Sequence, residues 1–204
     1  EYKNEYDSSI SYFFKSLEEA RRLGIPEYET AALGDLALAY YNINQPQKTK
    51  EFYKMALDIA NKRQEASSVF TNSTNLGSIY NKLGYPDSAL IYLNNARQLA
   101  EQFKPLFDVG SLYNNIGNAW FYKKQWNKAL EYFYLNYYRD VAADDKEMQW
   151  YDCLNIADVY IEKKNYDSAF KYLGYTDRLA DALDSKRKKA DVYSLFSKYY
   201  SRKG

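Results

Sequence analysis

Leu76-Gly77-Ser78-Ile79-Tyr80 returns as Ile116-Gly117-Asn118-Ala119-Trp120 and again as Ile156-Ala157-Asp158-Val159-Tyr160, forty residues apart each time. The same frame takes in Leu36-Ala37-Leu38-Ala39-Tyr40 upstream and Phe196-Ser197-Lys198-Tyr199-Tyr200 downstream. Thirteen residues on lies a column of small residues: Ser9, Thr49, Ala89, Ala129 and Ala169. Three further on lies an aromatic column of Tyr12, Phe52, Tyr92, Tyr132 and Tyr172, beside a bulky one of Phe13, Tyr53, Leu93, Phe133 and Leu173. Several columns in one register mark an internal repeat, which has to be recognised before any fold is assigned.

Each unit spells two helices. Tyr113, Ile116, Gly117 and Trp120 follow the i, i+3, i+4, i+7 spacing of one helical face, and Ala129, Leu130 and Phe133 begin another after Lys123-Lys124-Gln125. Asn44 and Gly84 stand where the first helix should stop in a left-handed turn. Pro46 and Pro86 mark the turn, and Asp87 and Asp167 are the expected N-caps of the second helix. Gly24-Ile25-Pro26 and Pro105 are breaks between units. The small residues Gly77, Gly117, Ala37 and Ala157, with Ala89, Ala129 and Ala169, allow close helix approach. Tyr40, Tyr80, Trp120, Tyr160 and Tyr200 are expected to fill the space between stacked hairpins. One hairpin cannot bury its own faces, so the expected fold is an all-α, right-handed superhelical solenoid of antiparallel helix hairpins with about ten helices.

Leu76, Gly77, Tyr80, Gly84, Ala89, Leu93 and Ala96 resemble the tetratricopeptide repeat, as do Ile116, Gly117, Trp120, Trp126, Ala129 and Phe133. Asn136 departs where that family has alanine. Tyr6, Ser9 and Phe13 look like the tail of an earlier unit, and Tyr193, Phe196, Ser197 and Tyr200 like the first helix of a later one. The forty-residue period is longer than the family's usual ~34 and nearer that of HEAT and armadillo arrays, which lack the Leu-Gly-x-x-Tyr and small-residue columns. The expected organisation is a single domain over 1–204: a partial unit 1–29, units 30–69, 70–109, 110–149 and 150–189, and a partial unit 190–204. The chain opens at Glu1 without an initiator methionine or signal-peptide pattern and leaves Phe196 and Tyr200 uncapped. Both features lead us to expect a longer protein, or an end covered by another chain.

Composition narrows the function. The 204 residues hold 28 Lys plus Arg against 27 Asp plus Glu, a formal charge of +1, which argues against a strongly electrostatic nucleic-acid or membrane partner. No apolar run approaches the ~20 residues of a spanning helix. Histidine is absent, removing the commonest general base and metal ligand. The lone Cys153 falls in the apolar column of Leu33 and Tyr113 and is expected to be a buried, inert thiol. No metal-binding cluster, phosphate-cradling loop or nucleophile–base pair can be named, so neither an enzyme nor a cofactor is expected. Lys186-Arg187-Lys188-Lys189 reads as a solvated helix start.

The family resemblance implies that the far side of each first helix lines a concave groove. One column there is Asp35, Asn75, Asn115, Asn155 and Leu195, and its neighbour is Leu38, Ser78, Asn118, Asp158 and Lys198. A carboxamide can pair with both N–H and C=O of a bound peptide backbone. The candidate peptide-binding residues are therefore Asn75, Asn115, Asn118, Asn155 and Asp158, with Lys82 and the aromatics Tyr41, Phe121, Tyr122 and Tyr151. Solvation, or bonding to the next hairpin, is the competing explanation for the asparagines, and packing against second helices for the aromatics. The two-carboxylate clamp for chaperone tails is missing, because Asn114, Asn115, Tyr151 and Asn155 occupy its basic positions. The run Tyr132-Phe133-Tyr134-Leu135-Asn136-Tyr137-Tyr138 is apolar all round and is either central or a partner surface.

The expected partner is a protein or extended peptide, with no nucleic acid or membrane contact by this segment. Asp87-Ser88-Ala89 and Asp167-Ser168-Ala169 resemble the sensor segments of bacterial transcriptional regulators and histidine kinases, which implies a periplasmic location and a signalling role. Without that resemblance the chain would be cytoplasmic. The alternative is a scaffold that self-associates, for instance as a homodimer, through its solenoid ends.

Overall fold

A computed structural model describes residues 2–104 and 106–204, with side chains from Ser8 onward; the expectations that rest on the Tyr6 side chain and on Pro105 lie outside the described residues. Ten helices account for the described chain: α1 (Tyr2–Leu23), α2 (Pro26–Asn42), α3 (Pro46–Lys62), α4 (Ala66–Lys82), α5 (Pro86–Gln102), α6 (Gly110–Tyr122), α7 (Trp126–Ala142), α8 (Lys146–Glu162), α9 (Tyr166–Ala182) and α10 (Lys186–Lys203). This is the expected all-α array of helix hairpins. Helix starts at 26, 66, 146 and 186 keep the forty-residue period but precede the unit limits drawn from the sequence by four residues. The helices form two compact units, one reaching to Asn115 and the other running Ile116–Gly204.

The turns repeat every twenty residues. Gly24, Asn44, Gln64, Gly84, Lys124, Asp144, Lys164 and Asp184 all have φ between 46° and 78°. The residue after each donates its N–H back to the helix it leaves: Gln45 to Tyr40 O at 2.8 Å, and Tyr85 to Tyr80 O, Gln125 to Trp120 O and Asn165 to Tyr160 O at 2.9 Å each. This is the Schellman pattern, which satisfies carbonyls a helix end would otherwise leave orphaned. Asn44 and Gly84 therefore stop their helices as the sequence predicts, and six of the eight positions use a residue with a Cβ.

The expected second-helix caps are corrected. Tyr85 and Asn165 are the N-caps, and Asp87 and Asp167 lie in the first turn, where their charge meets the positive end of the helix dipole. Pro26, Pro46 and Pro86 stand inside the first turn and not in the turn before it, because proline's missing N–H costs nothing there. From α8 onward side chains take over: Asp145, Asn165 and Ser185 accept the N–H of Met148, Ser168 and Lys188 at 3.0, 3.2 and 3.3 Å.

In the first unit, Leu33, Leu36 and Ala39 of α2 pack with Ile10 and Leu17 of α1 and Ala56 of α3, and Leu76 and Ile79 of α4 pack with Leu57 and Ala60. In the second, Phe133 of α7 meets Ile156 and Val159 of α8, and Ala157 and Ile161 meet Leu173 and Tyr199. Gly77 and Gly117 admit side chains and not bare backbone: a Cβ on Gly77 would strike the branch carbon of Leu93, and one on Gly117 would lie 2.5 Å from Phe133 Cε1. The expected aromatic fillers work differently too. Tyr40 stacks on Phe52 at 5.4 Å, Tyr80 on Tyr92 at 5.3 Å and Tyr160 on Tyr172 at 6.0 Å, each near parallel. Only Tyr40 of this set is fully buried, and Tyr200 is 59% exposed. Position 40 and its repeats end their helices, so the rings reach the surface, where Lys48 covers Tyr40 at 4.6 Å and Lys128 covers Trp120 at 4.2 Å.

Candidate functional site

In the first unit, α2 and α4 flank a cleft of about 450 Å³. Its walls carry Leu38, Ser68, Thr71 and Asn75, with Tyr53 reaching in from α3. A narrower extension of about 140 Å³ adds Tyr41 and Ser78. The cleft exists because positions three and four apart on α2 and α4 point away from the α3 and α5 seam, and apart from Leu38 they are small or polar. Asn75 lines both parts. Among the described residues the carboxamides of Asn75, Asn115 and Asn118 make no hydrogen bond to the protein. Asn115 contributes its backbone instead: its carbonyl accepts from Asn81 Nδ2 at 2.8 Å.

Electrostatics sharpen this surface. Burial raises the Tyr53 hydroxyl pKa, and the neighbouring Tyr41 and Asp35 raise it further, so it remains a neutral donor. Burial alone raises the Asp35 carboxyl. Lys82 holds its ammonium 4.3 Å from the Tyr41 ring centroid, so these two candidates act together as a cation capping an aromatic wall. At the cleft's end Glu27 is ion-paired with Arg63, whose guanidinium holds the carboxyl below its ordinary value.

In the second unit, α8 and α10 flank a cleft of about 290 Å³ lined by Asn155, Asp158, Leu195 and Lys198. Lys198 Nζ is 2.5 Å from Asp158 Oδ1, 2.7 Å from Glu162 Oε1 and 6.0 Å from the Phe121 ring. Burial would lower its pKa, but the two carboxylates outweigh that and raise it. Asp158 is therefore a brace. Phe121 is half-buried, edge-on to Trp126 at 5.3 Å, and belongs to the α7–α8 cluster. Tyr122, more than half exposed, packs edge-on to Phe121 at 6.0 Å. Tyr151 carries Lys188 over its ring at 4.5 Å.

The basic run is less solvated than the sequence suggests. Lys188 pairs with Glu147 at 2.9 Å, and Lys189 with Asp177 and Asp181 at 2.5 and 2.8 Å. Among the described residues no group of His, Cys, Asp and Glu side chains could hold a metal ion, and no helix is long and apolar enough to cross a membrane. The aromatic run on α7 divides: Phe133 is buried, Tyr134 bonds the Tyr160 hydroxyl at 3.0 Å, and Leu135 and Tyr138 are exposed.

Sequence reasoning missed Tyr53, which sits in a packing column although its hydroxyl reaches the cleft. It also missed Lys198 as a partner of Asp158, although opposite charges one repeat apart in a single column were a usable signal. The departure at Asn136 has a structural cause: its Nδ2 donates to the buried Asp152 Oδ1 at 2.8 Å, so two polar residues replace an apolar contact between α7 and α8.

A tetratricopeptide-repeat family model matches residues 73–103 and 153–174, which cover most of α4–α5 and part of α8–α9. No curated protein sequence matches the chain. Among solved structures, BtubC from P. vanneervenii is 17% identical with a TM-score of 0.75, covering 97% of this chain and 86% of that one. A Rap protein complexed with Competence and Sporulation Factor is 15% identical with a TM-score of 0.76, covering 98% of this chain and 60% of that one. The Rap conjugation gene regulator of plasmid pLS20, in complex with the Phr* peptide, is 20% identical with a TM-score of 0.74, covering 97% and 55%. Identities this low establish the shared fold, and the two matched stretches carry tetratricopeptide repeats within it.

Proposed function

We propose that this tetratricopeptide-repeat chain is a non-catalytic module that binds an extended peptide or a segment of a partner protein through its groove, within a bacterial regulatory protein. The observation that carries this is the α2–α4 cleft, where Asn75 presents a carboxamide with no protein partner beside the Tyr53 hydroxyl and the Tyr41 ring capped by Lys82. An extended strand exposes an N–H and a C=O per residue, and a carboxamide answers both. The Rap conjugation gene regulator bound to the Phr* peptide, on the same fold, supports the peptide and the regulatory role. A periplasmic location goes with a sensor segment, and a cytoplasmic one with any other setting.

The test is a peptide selected from a random library and measured by fluorescence anisotropy. Asn75→Ala and Asn115→Ala should each weaken it about fivefold, the loss of roughly one net hydrogen bond, with the melting temperature unchanged. Equal affinity in both variants would remove the groove assignment. A second reading, self-association into a homodimer, is favoured by the exposed Phe170 of α9 and Tyr193 and Tyr200 of α10. A monomer mass constant with concentration in sedimentation would count against it.

A further inference from the structure

The second unit holds another cavity, of about 390 Å³, open to solvent between α7, α8 and α9 and lined by none of the α8–α10 cleft residues. Tyr137 of α7 and Tyr175 and Leu179 of α9 form its walls, and Cys153 of α8 its floor. Leu33, Ser73, Tyr113 and Tyr193 occupy the Cys153 column in other units, and the cavity beside Tyr113 measures about 250 Å³. That smaller cavity carries a carboxylate in its lining: Glu101, paired with Arg97 at 2.6 Å, with Lys104 beside them.

The larger cavity leaves its cations unanswered. Lys146 and Arg178 both line it, no carboxylate does, and neither cation has an ion pair among the described residues. The Arg178 guanidinium lies 4.9 Å from the Tyr175 ring centroid, which holds positive charge at the aromatic rim. Burial, and then Asp152 beside it, push the Cys153 thiol up to about 12, so the floor stays neutral. An apolar, aromatic-walled space with two free cations at its mouth is complementary to a flat anion. Its volume lies toward the lower end of the ~300–1,000 Å³ common for small-molecule sites.

We propose that this cavity binds a small aromatic carboxylate of one or two rings. The ring lies between Tyr137 and Tyr175 over Cys153, and the carboxylate meets Lys146 and Arg178 in charge-assisted hydrogen bonds. The site is independent of the groove and stands whether or not the groove takes peptides.

The test uses the full chain and 2-naphthoate, titrated by calorimetry beside 2-naphthamide, which has the same rings without the charge. Naphthoate should bind at least about tenfold more tightly than the amide and weaken as salt rises. Arg178→Gln and Lys146→Gln should each lose about five- to tenfold. Cys153→Leu, the residue this column has at Leu33, should fill the floor and abolish binding with helicity retained. The proposal is overturned if naphthoate shows no binding up to about 1 mM, or if naphthoate and naphthamide bind alike. It is equally overturned if a folded Cys153→Leu variant keeps the wild-type affinity. Should that variant fail to fold, the amide, salt and Arg178→Gln comparisons decide alone.

Discussion

Asp152 offers the sharpest test of how these helices pack. It is 1% exposed on α8 and faces Asp140 of α7, itself 2% exposed. Asn136 donates to Asp152 Oδ1 at 2.8 Å, and Arg139 donates to Asp140 Oδ1 at 2.7 and 2.9 Å. The remaining oxygens, Asp152 Oδ2 and Asp140 Oδ2, are both buried without a partner, so one proton on Asp152 would satisfy both. Burial raises the Asp152 pKa to about 7. The Asn136 amide opposes that, and the Asp140 carboxyl beside it adds to it.

Because the folded-state pKa lies above the unfolded one, the native state holds the extra proton between the two values. Stability then falls as pH rises through that window and levels off above pH ~7. The gap from an ordinary aspartate near ~3.9 is about three units at about 1.4 kcal/mol each, a ceiling of roughly 4 kcal/mol, with about 2 kcal/mol a realistic share for a coupled pair. Asp152→Asn keeps the acceptor toward Asn136 and supplies a permanent donor toward Asp140. The variant should match wild type at pH ~3.5, below the unfolded pKa, and exceed it by about 2 kcal/mol at pH 8. Urea unfolding followed by circular dichroism across this range measures the difference, and taking variant against wild type cancels every other titrating group. A difference that stays constant with pH would refute the shared-proton account.

Other perturbations follow from the same packing. Gly77→Ala drives a methyl into Leu93, so despite about 1 kcal/mol of better helix propensity it should lose about 1 kcal/mol net, with partial recovery when Leu93→Ala is added. Gly84→Ala meets no atom within 4 Å but must hold φ near 78°, and should cost about 1 kcal/mol in urea titrations from backbone strain alone. Lys198→Ala breaks a half-exposed brace to Asp158 and Glu162. It should cost less than about 1 kcal/mol, with the loss shrinking further in high salt.

The order of helices, their hairpin pairing and most of the turns were determined by the sequence alone. The reason is that these depend on rules acting over one helical turn or one loop: apolar spacing of three and four, and a left-handed residue ending each helix. A column repeated every forty residues then states the same local solution several times over. Only the tertiary structure decided which side-chain tips meet. Asp87 and Asp167 look like caps in isolation, yet the helices begin two residues earlier, capped by Tyr85 and Asn165. Phe121 has groove spacing but a ring turned into Trp126. Asp158 belongs to Lys198, and Asn136 to a carboxyl on the next hairpin. Such contacts depend on where side chains end after helices from different repeats come together, and no single helix encodes that distance. For the same reason Cys153 reads from sequence as one more apolar position in its column, and only the packing of α7, α8 and α9 turns its small size into a cavity.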